Sequence, residues 1–322
     1  MAKRQSTISR LREAASEWLA DRVSAVDGLT RAWLLRSTII TIALTAVIGA
    51  TVWGLRKMER TVHAKDNFQQ PLTLEWAELP EWLRMPENGH ILDTLVARVN
   101  LQDSDRMLDP SLAGRIGTAL AAPEVGWVKS LDRIDVRPDG VVSIKCAFRE
   151  PRAWVKQGTS CYLIDAENVR LPGRYDAGDC QASALMTIIG VKGKPPSVGQ
   201  RWNAPDLADA SRLVTLLAAK SFREEIAAIN VSNHDGRVDR SRPHIELVTA
   251  AKGSRIWWGL PPEQEHGKEI SAAQKVTLLE TLYRQWGRLS VNRPYIDIRT
   301  WPDRIAMPMA IPSSTQPRVL RG

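Results

Sequence analysis

Residues 127–149 read WVKSLDRIDVRPDGVVSIKCAFR, and this stretch decides the fold. Pro138-Asp139-Gly140 is turn chemistry: proline presets one φ, aspartate bonds its own backbone, and glycine accepts a positive φ. The flanking residues are rich in β-branched types, so the pattern predicts strands over 128–136 and 141–149 joined as a hairpin. Val142, Ile144, Cys146 and Phe148 alternate onto one face, which predicts a sheet buried on one side. The preceding residues can cover it. Ile91, Leu92, Leu95 and Val99 recur at helical spacing over 91–101. A second helix is predicted over 109–122, with Asp109 as N-cap and Pro110 at the first position. A short strand over 71–75 completes a β-α-α-β-β order in residues 71–151.

Downstream the chain becomes richer in strands. They are predicted over 153–156, 161–164, 169–171, 185–191, 226–231, 245–249, 255–258, 295–299 and 304–307. Two helices, 205–221 and 272–286, interrupt them. Trp257 and Trp258 are neighbours in one strand, so they must point to opposite faces. The expected fold class is therefore α+β: a β-α-α-β-β domain, then a β-rich domain with two helices over 152–310. A tail over 311–322, rich in proline and serine, reads as disordered.

Upstream lies one local extreme. Residues 37–55, STIITIALTAVIGATVWGL, carry no charge. As a helix they would span about 28 Å, close to a bilayer core. Trp33 and Trp53 fall near the two ends, where amphipathic rings favour the headgroup zone, and Arg36, Arg56 and Lys57 close the run. The stretch exceeds a signal-peptide core, and no small-x-small site ends it. A single membrane-spanning helix is expected, with a linker over 56–70. Ile8, Leu11, Ala15, Trp18, Leu19 and Val23 form a helical stripe in the preceding tail, which lies on the membrane or is solvated. Basic residues flank both ends of the span in near-equal number, so charge alone does not set the orientation.

The chain of 322 residues has a formal net charge of +8, which invites a nucleic-acid reading. The charge sits at the ends. Bases exceed acids in residues 1–36, 56–65 and 311–322, whereas residues 66–310 hold 31 of each. The excess belongs with anionic headgroups, and no nucleic-acid partner is expected. The five histidines have no metal-ligand spacing, and no P-loop, HExxH, GxSxG or CxxC occurs. No catalysis, cofactor, metal or small-molecule substrate is expected. Three cysteines are too few for a disulfide scaffold. Cys146 reads as a small buried hydrophobe. Cys161 and Cys180 flank a strand-turn-strand. Outside the cytoplasm a bridge between them is feasible, and would contribute about 3 kcal/mol. Two free thiols fit equally well.

Three segments, in order, carry a resemblance. The first is Trp127-Val128-Lys129-Ser130, then Arg133 through Gly140, then Arg149-Glu150-Pro151-Arg152-Ala153. The second is Tyr162-Leu163-Ile164-Asp165 leading into Val169. The third is Tyr295-Ile296-Asp297-Ile298-Arg299, then Pro302-Asp303-Arg304-Ile305-Ala306. Together they resemble the bacterial cell-division family FtsQ/DivIB, and this chain looks like a divergent member. Gly126 stands where that family usually has proline, Asn168 replaces a turn glycine, and one extra residue falls near Thr300-Trp301. The resemblance implies a cytoplasmic N-terminus, one anchor in the cytoplasmic membrane, and a POTRA domain followed by a β domain outside the cytoplasm at the division site. It implies no enzyme. Its partners would be other division proteins, including coiled-coil membrane proteins of the FtsB/FtsL type, captured by strand addition at the last strands. Tyr295, Ile296, Asp297, Ile298, Arg299, Trp301 and Ile305 are the expected contacts. A POTRA protein of secretion or envelope assembly, and an anchored cell-wall enzyme, are the alternatives.

Overall fold

The structure, a computed structural model, describes residues 16–18, 20, 33, 36–58, 71–250, 254–290, 293–303 and 305–307. The predicted N-terminal stripe, apart from Trp18, and the tail over 311–322 lie outside these residues. Helix α1, Arg36–Met58, is long and apolar enough to cross a membrane. At 1.5 Å per residue it extends about 35 Å. The hydroxyls of Thr41, Thr45 and Thr51 donate to carbonyls one turn back, at 2.8, 2.7 and 2.8 Å. Its polar side chains are thus satisfied without water, as a hydrocarbon setting requires.

Residues 72–105 and 109 onward make a second, separate compact unit with two sheets. The first sheet forms from β1 (Thr73–Trp76), β2 (Val128–Val136) and β3 (Val141–Phe148), in the order β1-β3-β2. The hairpin predicted from 127–149 is present, with Gly140 at φ +81° in its turn. Strand β1 pairs parallel to β3. Between β1 and β2 lie α2 (Glu81–Arg84), α3 (Gly89–Val99) and α4 (Leu112–Ala121). Ile91, Leu95 and Val99 of α3, with Leu112, Ile116 and Leu120 of α4, bury against Val142, Ile144 and Cys146. The N-cap expected at Asp109 is corrected: its Oδ1 accepts from Ser111 N (2.8 Å) and Oγ (2.7 Å), so a side-chain turn precedes the helix. That local bond competes with helix initiation and delays it to Leu112.

The second sheet has seven strands: β4 (Ala153–Gln157), β5 (Ser160–Ile164), β6 (Met186–Ile189), β7 (Ile226–Asn230), β8 (Ile245–Thr249), β9 (Arg255–Gly259) and β10 (Tyr295–Asp297). Their order is β10-β9-β8-β7-β6-β4-β5. The registers line up one row across all seven strands: Ile296, Ile256, Leu247, Ile229, Ile188, Val155 and Tyr162. Helices α6 (Pro205–Leu217) and α7 (Ala272–Trp286) cover this row with Leu207, Leu213, Leu217, Leu279 and Leu282. Trp258 is fully buried on this side, and Trp257 faces the other way, as adjacency in a strand dictates.

Two expectations change. Residues 169–171 are not a strand and make only isolated bridges, Ile164 to Arg170 and Val169 to Arg201. A third helix, α5 (Ala177–Ala182), joins the two predicted. It is too short for apolar periodicity, and its signal is local: Asp176 and Asp179 form a reciprocal capping box. Cys161 and Cys180 form a disulfide, which fastens α5 to β5. At this end of the sheet the second face is covered too. Trp154, Cys161, Leu163, Leu171 and Cys180 join the core of the first sheet.

Candidate functional site

The second face of the large sheet loses its cover towards β10. The row on this face runs Cys161, Lys156, Ile189, Asn230, Glu246, Trp257 and Asp297. Two of its polar members, Asn230 and Glu246, pair with each other. Asn230 Nδ2 donates to Glu246 Oε2 at 3.2 Å, and Arg255 Nη1 donates to the same oxygen at 3.1 Å. Beyond them sits an aromatic platform. Tyr295 stacks on Trp257 with centroids 3.8 Å apart and planes 1° from parallel. The Arg299 guanidinium lies 5.0 Å from the centroid of Trp257. Arg299 also forks onto Asp297, with Nε to Oδ1 at 2.9 Å and Nη2 to Oδ2 at 2.8 Å. That bond raises the Arg299 pKa above its ordinary value, so the guanidinium is permanently charged.

Alternation sorts the expected contact residues. Ile296 and Ile298 are wholly buried in the core under α7, so their side chains cannot meet a partner; that part of the expectation is corrected. Tyr295, Asp297 and Arg299 stand on the other face, half-buried. Trp301 is exposed at the following turn, and Ile305 packs partly onto the core. The predicted pair of full strands is also corrected. Strand β10 covers three residues, and the returning segment contributes a single bridge, Asp297 to Ala306, with both main-chain bonds made at 2.8 and 3.0 Å. Arg299 O accepts from Ile270 N at 2.7 Å. The outer edge of β10 is therefore occupied at Asp297 and Arg299. Because Ala306 spends its N–H and C=O on Asp297, those of Ile305 and Met307 alternate outward, and this returning segment is the sheet's real margin. Sequence reasoning missed Glu246, Arg255 and Ala306; the Trp257-Trp258 pair was the one visible sign of the platform.

Two further predicted sets can be placed. Trp53 is exposed on the anchor and Trp33 is exposed upstream of it, and Lys57 Nζ lies 5.0 Å from the Trp53 ring. Arg36 and Arg56 lie at or near the ends of α1. The segments used for the resemblance also meet: Arg149 Nη1 donates to Asp165 Oδ2 at 2.6 Å, with both side chains largely buried. Asn168 takes φ +60°, a left-handed conformation that asparagine tolerates better than most residues, which is why it can stand in for a turn glycine.

A polar pocket of about 390 Å³ lies at the start of α6. Two of its lining groups pair, Arg237 Nη1 meeting Asp206 Oδ2 at 2.7 Å, and the His234 ring meets Asp209 Oδ2 through Nε2 at 2.7 Å. Among the described residues no group of three His, Cys, Asp or Glu side chains could hold a metal ion. No family model matches the chain, and no curated protein matches it.

Proposed function

We propose that this chain is a bitopic, non-enzymatic scaffold of the bacterial division machinery. It is anchored by α1 in the cytoplasmic membrane, with the N-terminus inside and both sheets outside. In this reading the β-α-α-β-β part is a POTRA-like domain, and the chain is a divergent relative of FtsQ/DivIB. The observation that carries the reading is the margin of the large sheet. The third resemblance segment ends the sheet there, beside an aromatic and charged platform. Strand addition by an FtsB/FtsL-type partner would bond the outward main chain of Ile305 and Met307, and its side chains would lie over Tyr295, Trp257 and Arg299.

The test is affinity capture of the full chain from dividing cells, paired with imaging of a fluorescent fusion. Met307→Pro removes one outward N–H, and Tyr295→Ala removes the stacked ring. Both should keep the anchor and a cooperative fold, with only a small drop in thermal midpoint from the lost packing, while losing captured division proteins at least about tenfold, given the weight of aromatic anchors at interface centres. Uniform membrane distribution in dividing cells, or undiminished capture by Met307→Pro, sinks the reading.

A further inference from the structure

A groove of about 770 Å³ crosses the joint between the two sheets. One wall is the α2 end of the first part, with Trp82 and Glu87. The floor is the connection Glu150-Pro151 and Trp154 of β4. The other wall is Tyr175 and the α5 helix, with Asp179. None of these groups belongs to the β10 margin.

Three properties of the groove point to one kind of occupant. Its charge is of one sign: Glu87, Glu150 and Asp179 line it, and no Lys or Arg does. Glu87 and Glu150 are exposed, and their carboxylates have no ion-pair partner among the described residues. Its apolar surface is aromatic, with Trp154 and Tyr175 in edge contact at 4.9 Å and Trp82 leaning on Trp127 at 6.3 Å. Trp154 is only 5 % exposed, and its Nε1–H is buried with no hydrogen-bond partner. Trp154 is thus a fixed floor, while Trp82 and Tyr175 are half-buried and offer ring surface to the groove. The wall is firm: the Cys161–Cys180 bridge and the Asp176/Asp179 capping box hold α5 in place.

We propose that this groove docks an extended, proline-rich segment of a partner protein that carries arginine. Such a segment is already extended before it binds, so docking costs it little conformational freedom. Proline rings pack on aromatic walls in the manner of other proline-rich ligands. Arginine answers the carboxylates, and unlike lysine its flat guanidinium can also stack on Trp82 or Tyr175. The site stands independently of the division reading, since any partner of this chemistry would fill it.

The experiment uses the full chain in detergent micelles and titration calorimetry with a blocked peptide, acetyl-PPRPPRPPR-amide. A control peptide replaces each arginine by glutamine. The arginine peptide should bind saturably, and weaken as salt rises because exposed charges are screened. Glu87→Gln with Glu150→Gln should weaken it about tenfold and flatten the salt dependence. Trp82→Leu, which removes a half-buried ring of the groove wall, should weaken it about fivefold. Glu87 and Glu150 have no side-chain partner among the described residues, so their variants keep the fold even if Trp82→Leu does not. Equal binding of the glutamine peptide, unchanged affinity in the double glutamate variant, or no saturation at millimolar peptide each overturns the proposal.

Discussion

At the scale of single residues, Lys275 is the least expected. Its side chain is wholly buried near the start of α7, where Nζ donates to Glu269 Oε1 at 2.5 Å and lies 5.0 Å from the centroid of Trp258. Burial lowers its pKa below the ordinary 10.5, and Glu269 and Glu265 offset only part of that. In the alkaline window just below 10.5 the unfolded chain therefore binds more protons than the folded one, so this group makes stability rise with pH there. Cys146 and Tyr175, whose pKa values burial raises, act in the opposite sense. The comparison must therefore be with Lys275→Met/Glu269→Gln. Urea midpoints measured across that window should shift in favour of the wild type relative to the variant as pH climbs. A difference that does not change with pH would count against a buried, depressed lysine. Cys146 offers a simpler check. Burial pushes its thiol up to about 12, so alkylation at neutral pH should require unfolding. Mass spectrometry of native protein treated with iodoacetamide should find Cys146 unmodified.

At the scale of elements, the hairpin over 127–149 was legible because turn chemistry and alternation agree within one stretch. Helix α7 was legible to both ends, where Ser271 and Gln274 make a capping box and Gly287 ends it in a left-handed conformation. What was not legible depends on distant atoms. Strand β10 stops at Asp297 because Ile270 takes the carbonyl of Arg299, and nothing in residues 295–299 announces that loop. The burial of Ile296 was readable as alternation, yet which face would be core depended on α7. Gly259 shows the same dependence. It ends β9 at φ +96°, and a Cβ there would overlap Glu269 Oε1. That carboxylate cannot swing away, because Lys275 and the N–H of Leu260 (2.7 Å) both hold it. Gly259→Ala should cost about 2–3 kcal/mol, combining a disfavoured φ with overpacking. Chemical denaturation should show it as a lower midpoint at unchanged slope. A loss below about 0.5 kcal/mol, the ordinary range for surface changes, would mean the glutamate is free to move.

At the scale of the whole molecule, the two sheets have two cores that meet at one strand. Strand β4 serves both: Ala153 and Val155 face the helices of the large sheet, while Trp154 between them faces the first sheet's core. The alternation of a single strand thus welds one half to the other. Pro151, just before this strand, reads in sequence as a boundary, and it is a boundary of sheets but not of packing. The disulfide adds to the weld, since both its cysteines lie in the core shared with α3 and α4. Residues 72–105 and 109 onward should therefore unfold as one cooperative unit. Calorimetry of the full chain in micelles should give one transition, with calorimetric and van't Hoff enthalpies equal. Removing residues 152–322 takes away Trp154, Leu163 and Leu171 from a core that has few side chains to spare, so the remaining β-α-α-β-β part should lose its fixed near-ultraviolet signal. Ser for both Cys161 and Cys180 should lower the single midpoint, by a stability loss on the order of 3 kcal/mol, without splitting it. Two resolved transitions in the intact chain would show that β4 does not couple the halves, whatever its alternation.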